Sequence, residues 1–341
     1  MISVAVIGAS GYIGGELLRI LLGHPEVVLK AATSNQHVGK LISNRHPNLR
    51  GQTTMTFVQE SELTHYDIVF LATPHRRTML KMREYIKLAD IVVDLSGDFR
   101  INDPAVYERY YGVAHNDDEL VKFFTPGIPE LHREKLRSAD FISIPGCMAN
   151  AGILALTPLA QHNIINGVVN IDARTGSSGS GSSAGPENLH AERSGSFRVF
   201  APTHHRHEAE IAQASGLEVR MTATGVEAVR GVQLVCRASL HSGVSERNVR
   251  STLRRRYGDE PFVRIVAQRR GIYRFPEPKL LAGSNFCDIG FAINEEFNDI
   301  TLIAALDNLV KGGAGNAVQC MNIRCGFPER TGLKFVGLHP S

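Results

Sequence analysis

Residues 2–7 form a short apolar run rich in β-branched side chains, and Gly8-Ala9-Ser10-Gly11-Tyr12-Ile13-Gly14 follows at once. The next stretch, Glu16-Leu17-Leu18-Arg19-Ile20-Leu21-Leu22, carries an apolar stripe at helical spacing. A strand that turns through glycines into a helix packed back on it restricts the fold sharply, because it opens a parallel, doubly wound sheet. Glycines there let the backbone approach a pyrophosphate, and the helix start offers it free amides and partial positive charge. The candidate dinucleotide contacts are Gly8, Ser10, Gly11, Tyr12 and Ile13. Glycine turns also join strands to helices with no ligand. The place of this one, directly after the first strand, favours the dinucleotide reading.

Apolar runs at 27–33, 67–72 and 90–95 continue the pattern between helical segments, and a run at 139–144 leads into Pro145-Gly146-Cys147. Such strands belong in a parallel sheet covered on both faces. Beyond Cys147 a helix-like stretch from Ala149 to Leu159 precedes longer alternating runs at 167–174, 219–225, 229–240 and 286–293. Those are antiparallel signals. The expected fold is α/β: a Rossmann-type doubly wound parallel sheet plus an α+β substrate domain with a mainly antiparallel sheet. A length of 341 residues suits two domains. The stretch Thr175 to Pro186, mostly Gly and Ser, has the composition of a linker, yet its position inside a domain favours an active-site loop. Asp307-Asn308-Leu309-Val310-Lys311-Gly312 opens a helix expected to run to about Arg324.

With 43% hydrophobic and 21% charged residues and a net charge of +3, the chain reads as an ordinary globular protein with no nucleic-acid footprint. One denser cluster, Arg254, Arg255, Arg256, Arg264, Arg269 and Arg270, reads first as a solvated helix face and second as an attractor for an acidic partner. No secretory signal and no membrane-spanning stretch is expected. The five cysteines form no CxxC pair, which points to a reducing cytoplasm, and no metal site is expected.

An NAD-preferring site usually carries a carboxylate at the end of the second strand. Here Thr33-Ser34-Asn35 stands there, with Lys40 shortly after, a set that suits the extra phosphate of NADP(H). Simple capping of the strand by Thr33 and Ser34 is the plainer alternative.

Pro145-Gly146-Cys147 places a cysteine after a strand and at a helix start, where amides stabilise a thiolate. The other cysteines fit buried apolar positions. Thr203-His204-His205-Arg206-His207-Glu208-Ala209-Glu210-Ile211 supplies imidazoles for proton transfer and a guanidinium for anions, although a His-rich surface helix has the same composition. Ser177 and the residues after it offer hydroxyls and amides to the same anions.

Together Gly8 to Tyr12, Asp94-Leu95-Ser96-Gly97-Asp98-Phe99-Arg100, Pro145-Gly146-Cys147, His205 to Ile211 and Asp307 to Gly312 resemble the N-acetyl-gamma-glutamyl-phosphate reductase family, over nearly the whole chain. His46-Pro47-Asn48-Leu49-Arg50-Gly51, Gly271-Ile272-Tyr273-Arg274-Phe275-Pro276 and Gly337-Leu338-His339-Pro340 look like a branch of lysine and arginine biosynthesis. Its members reduce aminoadipyl or glutamyl phosphate attached to a small acidic amino-group carrier protein. The sequence departs from the family at Met148-Ala149-Asn150 and at Gly97, where alanine is usual.

The resemblance implies a Cys147 thioester reduced by NADPH to a semialdehyde. It makes His207 the acid-base residue, puts His205 and Arg206 near the substrate, and has Glu210 orient the imidazole. Ser96 and Asn308 are implied as cofactor contacts, with Asn308 at the nicotinamide end. Arg100, Arg206 and Ser177 are implied as substrate contacts. It also implies domains of 1–146 with 308–341 for the cofactor and 147–307 for catalysis and oligomerisation, in a dimer or tetramer. An ordinary N-acetyl enzyme, an aspartate-semialdehyde dehydrogenase and a non-catalytic NADP sensor are the rival readings.

Overall fold

A computed structural model describes residues 1–183 and 185–340. The chain divides into two compact units, Met1–Pro145 with Gly313–Lys334, and Gly146–Gly312 with the tail from Phe335.

The first unit is built on a six-stranded sheet of β1 (Ile2–Ile7), β2 (Val27–Ala32), β3 (Tyr66–Leu71), β4 (Ala89–Asp94), β5 (Thr125–Pro126) and β6 (Phe141–Ser143). The order is β2-β1-β3-β4-β6-β5 with every pair parallel. The chain's direction of winding reverses between β1 and β3, so the glycine turn after Ile7 lies at a topological switch point, where such sheets bind ligands. Helix Tyr12–Leu22 buries Leu17, Leu18 and Leu21 against the sheet. The C-terminal helix Gly315–Arg324 is held by buried amides: Asn316 Nδ2 donates to the Gly127 carbonyl at 2.6 Å and, six residues on, Asn322 Oδ1 meets His24 Nε2 at 2.9 Å. A buried amide costs free energy unless bonded, so these contacts specify where the helix docks.

The second unit holds a seven-stranded sheet of β7 (Ile165–Thr175), β8 (Arg198–Ala201), β9 (Glu218–Gly225), β10 (Val232–Leu240), β11 (Val263–Ile265), β12 (Cys287–Asn294) and β13 (Asp299–Leu306). Its order is β11-β12-β13-β10-β7-β9-β8, antiparallel except for β7 with β9 and β11 with β12. Alternation in β10 sends Val232, Leu234, Cys236, Ala238 and Leu240 to the core. Helix Cys147–Gln161 is buried from Met148 to Leu159, and its Gly152 leaves room for Ile211 and Leu234.

Several boundaries differ from the sequence expectation. Residues 308–312 and the tail, expected with the cofactor domain, belong to the second unit. The Asp307 carboxylate accepts the Leu309 and Val310 amides at 2.8 and 3.1 Å, which ties that turn to the end of β13. Phe335 lies against Gly283, and Tyr273 Oη meets His339 Nε2 at 3.1 Å. The final helix does not open at Asp307: a π-turn, Val310–Ala314, comes first. Among the described residues no helix is long and apolar enough to cross a membrane.

Candidate active site

The glycine turn is packed from both sides. Gly8 has φ 78°, and a Cβ there would stand 2.6 Å from the Ala72 carbonyl oxygen at the end of β3. A Cβ on Gly14 would meet the Ala9 backbone at 2.6 Å, which fits the helix closely to the turn. Beside Gly11 the space is open, its nearest atom being the Gly8 oxygen at 3.8 Å. The turn is therefore rigid but leaves a face where a phosphate could approach. Tyr12 and Ile13 follow at the helix start, Tyr12 exposed and Ile13 half-buried.

The second-strand end divides between scaffold and open groups. Thr33 is buried, with its hydroxyl accepting the Gly8 amide at 3.2 Å, and the Ser34 hydroxyl donates to Ser10 Oγ at 3.0 Å. Asn35 and Lys40 are exposed. Two residues not read from the sequence as part of this turn, Arg45 and His46, complete the rim. Arg45 Nε donates to the Ser10 carbonyl at 3.0 Å, and His46 Nε2 lies 2.9 Å from the Ala9 carbonyl. The His46 ring fills the space a Cβ on Gly15 would need, and burial holds its pKa below the usual value. A cation twelve residues past Thr33 was the available signal.

At the end of β4, Asp94 is fully buried and burial pushes its pKa up to about 7. The Ser96 amide and hydroxyl both donate to it, at 2.9 and 2.8 Å. The Ser96 hydroxyl is thus spent on the turn itself. Arg100 is half-buried and donates to the Leu95 carbonyl at 2.9 Å. Gly97 has its reason here, since a Cβ would stand 2.3 Å from the Tyr111 hydroxyl and 2.8 Å from His75 Nδ1.

In the second unit Cys147 is the first residue of its helix and is half-buried. The His207 ring covers Gly146 so closely that a Cβ there would stand 2.0 Å from Nε2. Glu210 Oε2 accepts the Gly146 amide at 2.8 Å, while Oε1 lies 3.9 Å from His207 Nε2. Its tighter hold is therefore on the backbone before the cysteine. His205 packs edge-on against His207 at 4.5 Å between ring centroids, and its Nδ1 accepts the His207 amide at 3.2 Å. Burial, then the charge of Arg206, lowers the His205 pKa to about 4, so it stays neutral near pH 7. Arg206 is half-buried, and its Nε has no acceptor among the described residues. Buried Cys236 differs, its thiol pushed up to about 12.

The π-turn presses on the other side of the cysteine. A Cβ on Gly312 would stand 2.5 Å from Cys147 Cβ, and Asn150 Nδ2 donates to the Lys311 carbonyl at 2.8 Å. Asn150, where the sequence departs from the family pattern, thus anchors the Cys147 helix to the π-turn. Asn308 is buried, with Oδ1 accepting the Gly231 amide at 2.8 Å and Nδ2 donating to Ser178 Oγ at 2.9 Å. Both amide atoms bind the protein, which makes Asn308 a brace of the serine loop. Ser177 is half-buried on a 3-10 turn, Ser177–Ser180, whose amides bond to Ala228 and Val229. Arg254 and Arg255 lie exposed on helix Glu246–Tyr257, and Arg264 pairs with Asp288 at 2.6 Å. Among the described residues no group of three or more His, Cys, Asp or Glu is placed to hold a metal ion.

Comparison with known proteins matches residues 3–139 to a semialdehyde dehydrogenase NAD binding domain and residues 147–308 to a semialdehyde dehydrogenase dimerisation domain. A provisionally named LysW-L-2-aminoadipate 6-phosphate reductase of Thermomicrobium roseum is 45% identical over 100% of this chain and 99% of its own length. The LysW-L-2-aminoadipate 6-phosphate reductase of Deinococcus radiodurans is 44% identical over 99% of this chain and 98% of its own. Among solved structures, aspartate semialdehyde dehydrogenase II of Vibrio cholerae superposes with a TM-score of 0.74 at 16% identity, covering 96% of this chain and 98% of that one. The Candida albicans aspartate semialdehyde dehydrogenase with NADP gives 0.67 at 15% identity, covering 95% and 98%. With relatives this similar over their full length, the chain belongs to the semialdehyde dehydrogenase family of oxidoreductases, in the group whose members are named LysW-aminoadipate and LysW-glutamate phosphate reductases.

Proposed function

We propose that the protein is a cytoplasmic, NADPH-dependent reductase that converts a carrier-protein-linked aminoadipyl or glutamyl phosphate to its semialdehyde. The observation that carries this reading is the junction of Gly146, Cys147, His207 and Glu210 at one helix start. The Cys147 thiolate, favoured by the helix's first-turn amides, adds to the acyl carbon, a C–S bond forms, and the C–O bond to phosphate breaks with its electron pair on the leaving group. His207 supplies a proton to the departing phosphate from its ring nitrogen. When bound, the reduced cofactor supplies hydride to the acyl carbon. Collapse of the tetrahedral adduct then breaks the C–S bond and returns the electron pair to Cys147. Arg206 and Ser177 hold substrate oxygens.

The cofactor residues fit NADP. Gly8, Ser10, Gly11, Tyr12 and Ile13 form the turn that would receive the pyrophosphate, and Arg45, Lys40 and Asn35 offer donors for the extra phosphate with no carboxylate at that strand end. Self-association is assigned to the second unit, the part that matches a dimerisation domain.

A panel of carrier-linked, N-acetylated and free acyl phosphates, each with NADPH and NADH, tests the reading. Carrier-linked substrate with NADPH is expected to give the highest kcat/KM. Equal efficiency with the N-acetylated substrate would make this an ordinary N-acetyl-gamma-glutamyl-phosphate reductase instead.

A further inference from the structure

Arg76 stands in a backbone conformation that suits glycine. Its φ is 64°, in the left-handed region that a residue with a Cβ adopts only at a cost. Such strain persists where surrounding contacts impose it, and it gathers at ligand sites. Here the contacts come from the turn after β4. Fully buried Asp98 accepts the Arg76 amide at 2.7 Å on Oδ1 and the Met79 amide at 3.0 Å on Oδ2, and the Tyr107 hydroxyl donates to Oδ1 at 3.2 Å. His75 Nδ1 accepts the Gly97 amide at 2.8 Å, and the Thr73 and Thr78 hydroxyls share a hydrogen bond of 2.5 Å. The loop between β3 and helix Thr78–Tyr85 is thereby fixed, with Arg76 and Arg77 exposed on it. Among the described residues neither guanidinium has a hydrogen-bond or ion-pair partner.

This loop leaves β3 beside the glycine turn. The Ala72 amide donates to the Ile7 carbonyl at 2.8 Å, and the Ala72 carbonyl is the group against which Gly8 packs. The switch point falls between β1 and β3, so Arg76 belongs to the β3 lip of the crevice, whereas Asn35, Lys40 and Arg45 belong to the β2 lip. Donors on the β2 lip suit the extra phosphate of NADP. The pyrophosphate carries charges of its own and would sit at the glycine turn between the two lips. A planar guanidinium can pair with two of its oxygens at once.

We propose that Arg76 binds the cofactor's pyrophosphate from the β3 side, and that its left-handed backbone sets the direction in which the side chain leaves the loop. This rests on the cofactor reading above. Arg76→Gly removes the guanidinium and relieves the backbone together, so it separates binding from folding. Calorimetric titration is expected to show the Kd for NADPH and the Kd for NADH each rising about tenfold or more, as loss of a charge-assisted pair does, at a melting temperature no lower than that of the unaltered protein. Arg76→Lys, which keeps the charge, should show a smaller rise. Arg77→Gln, one residue on in ordinary right-handed backbone, should change both constants less than Arg76→Gly does.

Unchanged Kd values in Arg76→Gly, whatever its melting temperature, would make Arg76 part of the scaffold and overturn the proposal. A rise for NADPH alone would move the guanidinium to the extra phosphate, and an equal rise in Arg77→Gln would reduce the effect to general charge; either result overturns it too. An unaltered protein that bound neither cofactor would instead count against the cofactor reading itself.

Discussion

The two units treat their polar side chains in opposite ways. In the first, Thr33, Ser34 and His46 bond to the glycine turn at residues 8–10 and Ser96 bonds to Asp94 in its own turn, so the polar motif residues mostly hold turns in place. In the second, His207 and Glu210 close on the backbone at Cys147, and the π-turn closes from the other side. A site that binds through backbone amides needs rigidity, whereas a site that breaks bonds needs particular side chains at one atom. The same kind of sequence signal, a polar residue in a motif, therefore has different consequences in the two units.

Substitutions test that contrast most strongly in the second unit. His207→Asn preserves bulk and polarity but removes proton transfer, and kcat should fall about a hundredfold with NADPH affinity unchanged. Steady-state kinetics with cofactor titration would show it; a fall in NADPH affinity with kcat intact would erase the distinction between the units. In the first unit, Arg45→Glu should raise the KM for NADPH about tenfold and narrow the preference over NADH. Acyl transfer to Cys147, followed without cofactor, should not change. Equal use of both cofactors by the unaltered protein would remove Arg45 and Lys40 from the site.

The smallest effect is on acid stability. His205 is neutral in the fold, with a pKa of about 4 against the ordinary 6.5. Above pH 6.5 neither state binds the proton and its contribution is fully present. As pH falls from 6.5 toward 4, the unfolded chain takes up a proton that the folded chain refuses, and stability is lost. Asp94, raised to about 7, acts in the opposite sense: its contribution is complete below the ordinary 3.8 and is lost as pH rises toward 7. Calorimetry of His205→Asn between pH 7.5 and 5 should therefore show a shallower decline in melting temperature than the unaltered chain. An identical slope would assign the acid sensitivity elsewhere, including to His24 and His46, whose pKa values burial also lowers.

What was legible in the sequence follows the same division. The parallel sheet and the glycine turn were readable because their requirements are local: a period, a glycine, a strand before and a helix after. The Asp299–Leu306 strand escaped because its ITLIAAL core reads as one apolar run with little alternation, as expected of a strand buried between two neighbours. The π-turn was taken for an ordinary helix start, since Gly312 and Gly313 carry no mark of the close approach to Cys147 that Gly312 makes. Cys147 and the histidine segment could be found from residue type. The braces could not: Arg45, His46 and Asn150 act through partners 35 to 161 residues away, and only the fold brings those together.

The central claim is that the acyl group passes through Cys147. Mixing the enzyme with carrier-linked acyl phosphate in the absence of cofactor, quenching, and mapping the mass of each cysteine peptide tests it directly. The account predicts a burst of phosphate stoichiometric with active sites and an acyl adduct on the Cys147 peptide that disappears when NADPH is added. Phosphate release that requires NADPH, or a burst with no adduct on Cys147, would contradict it.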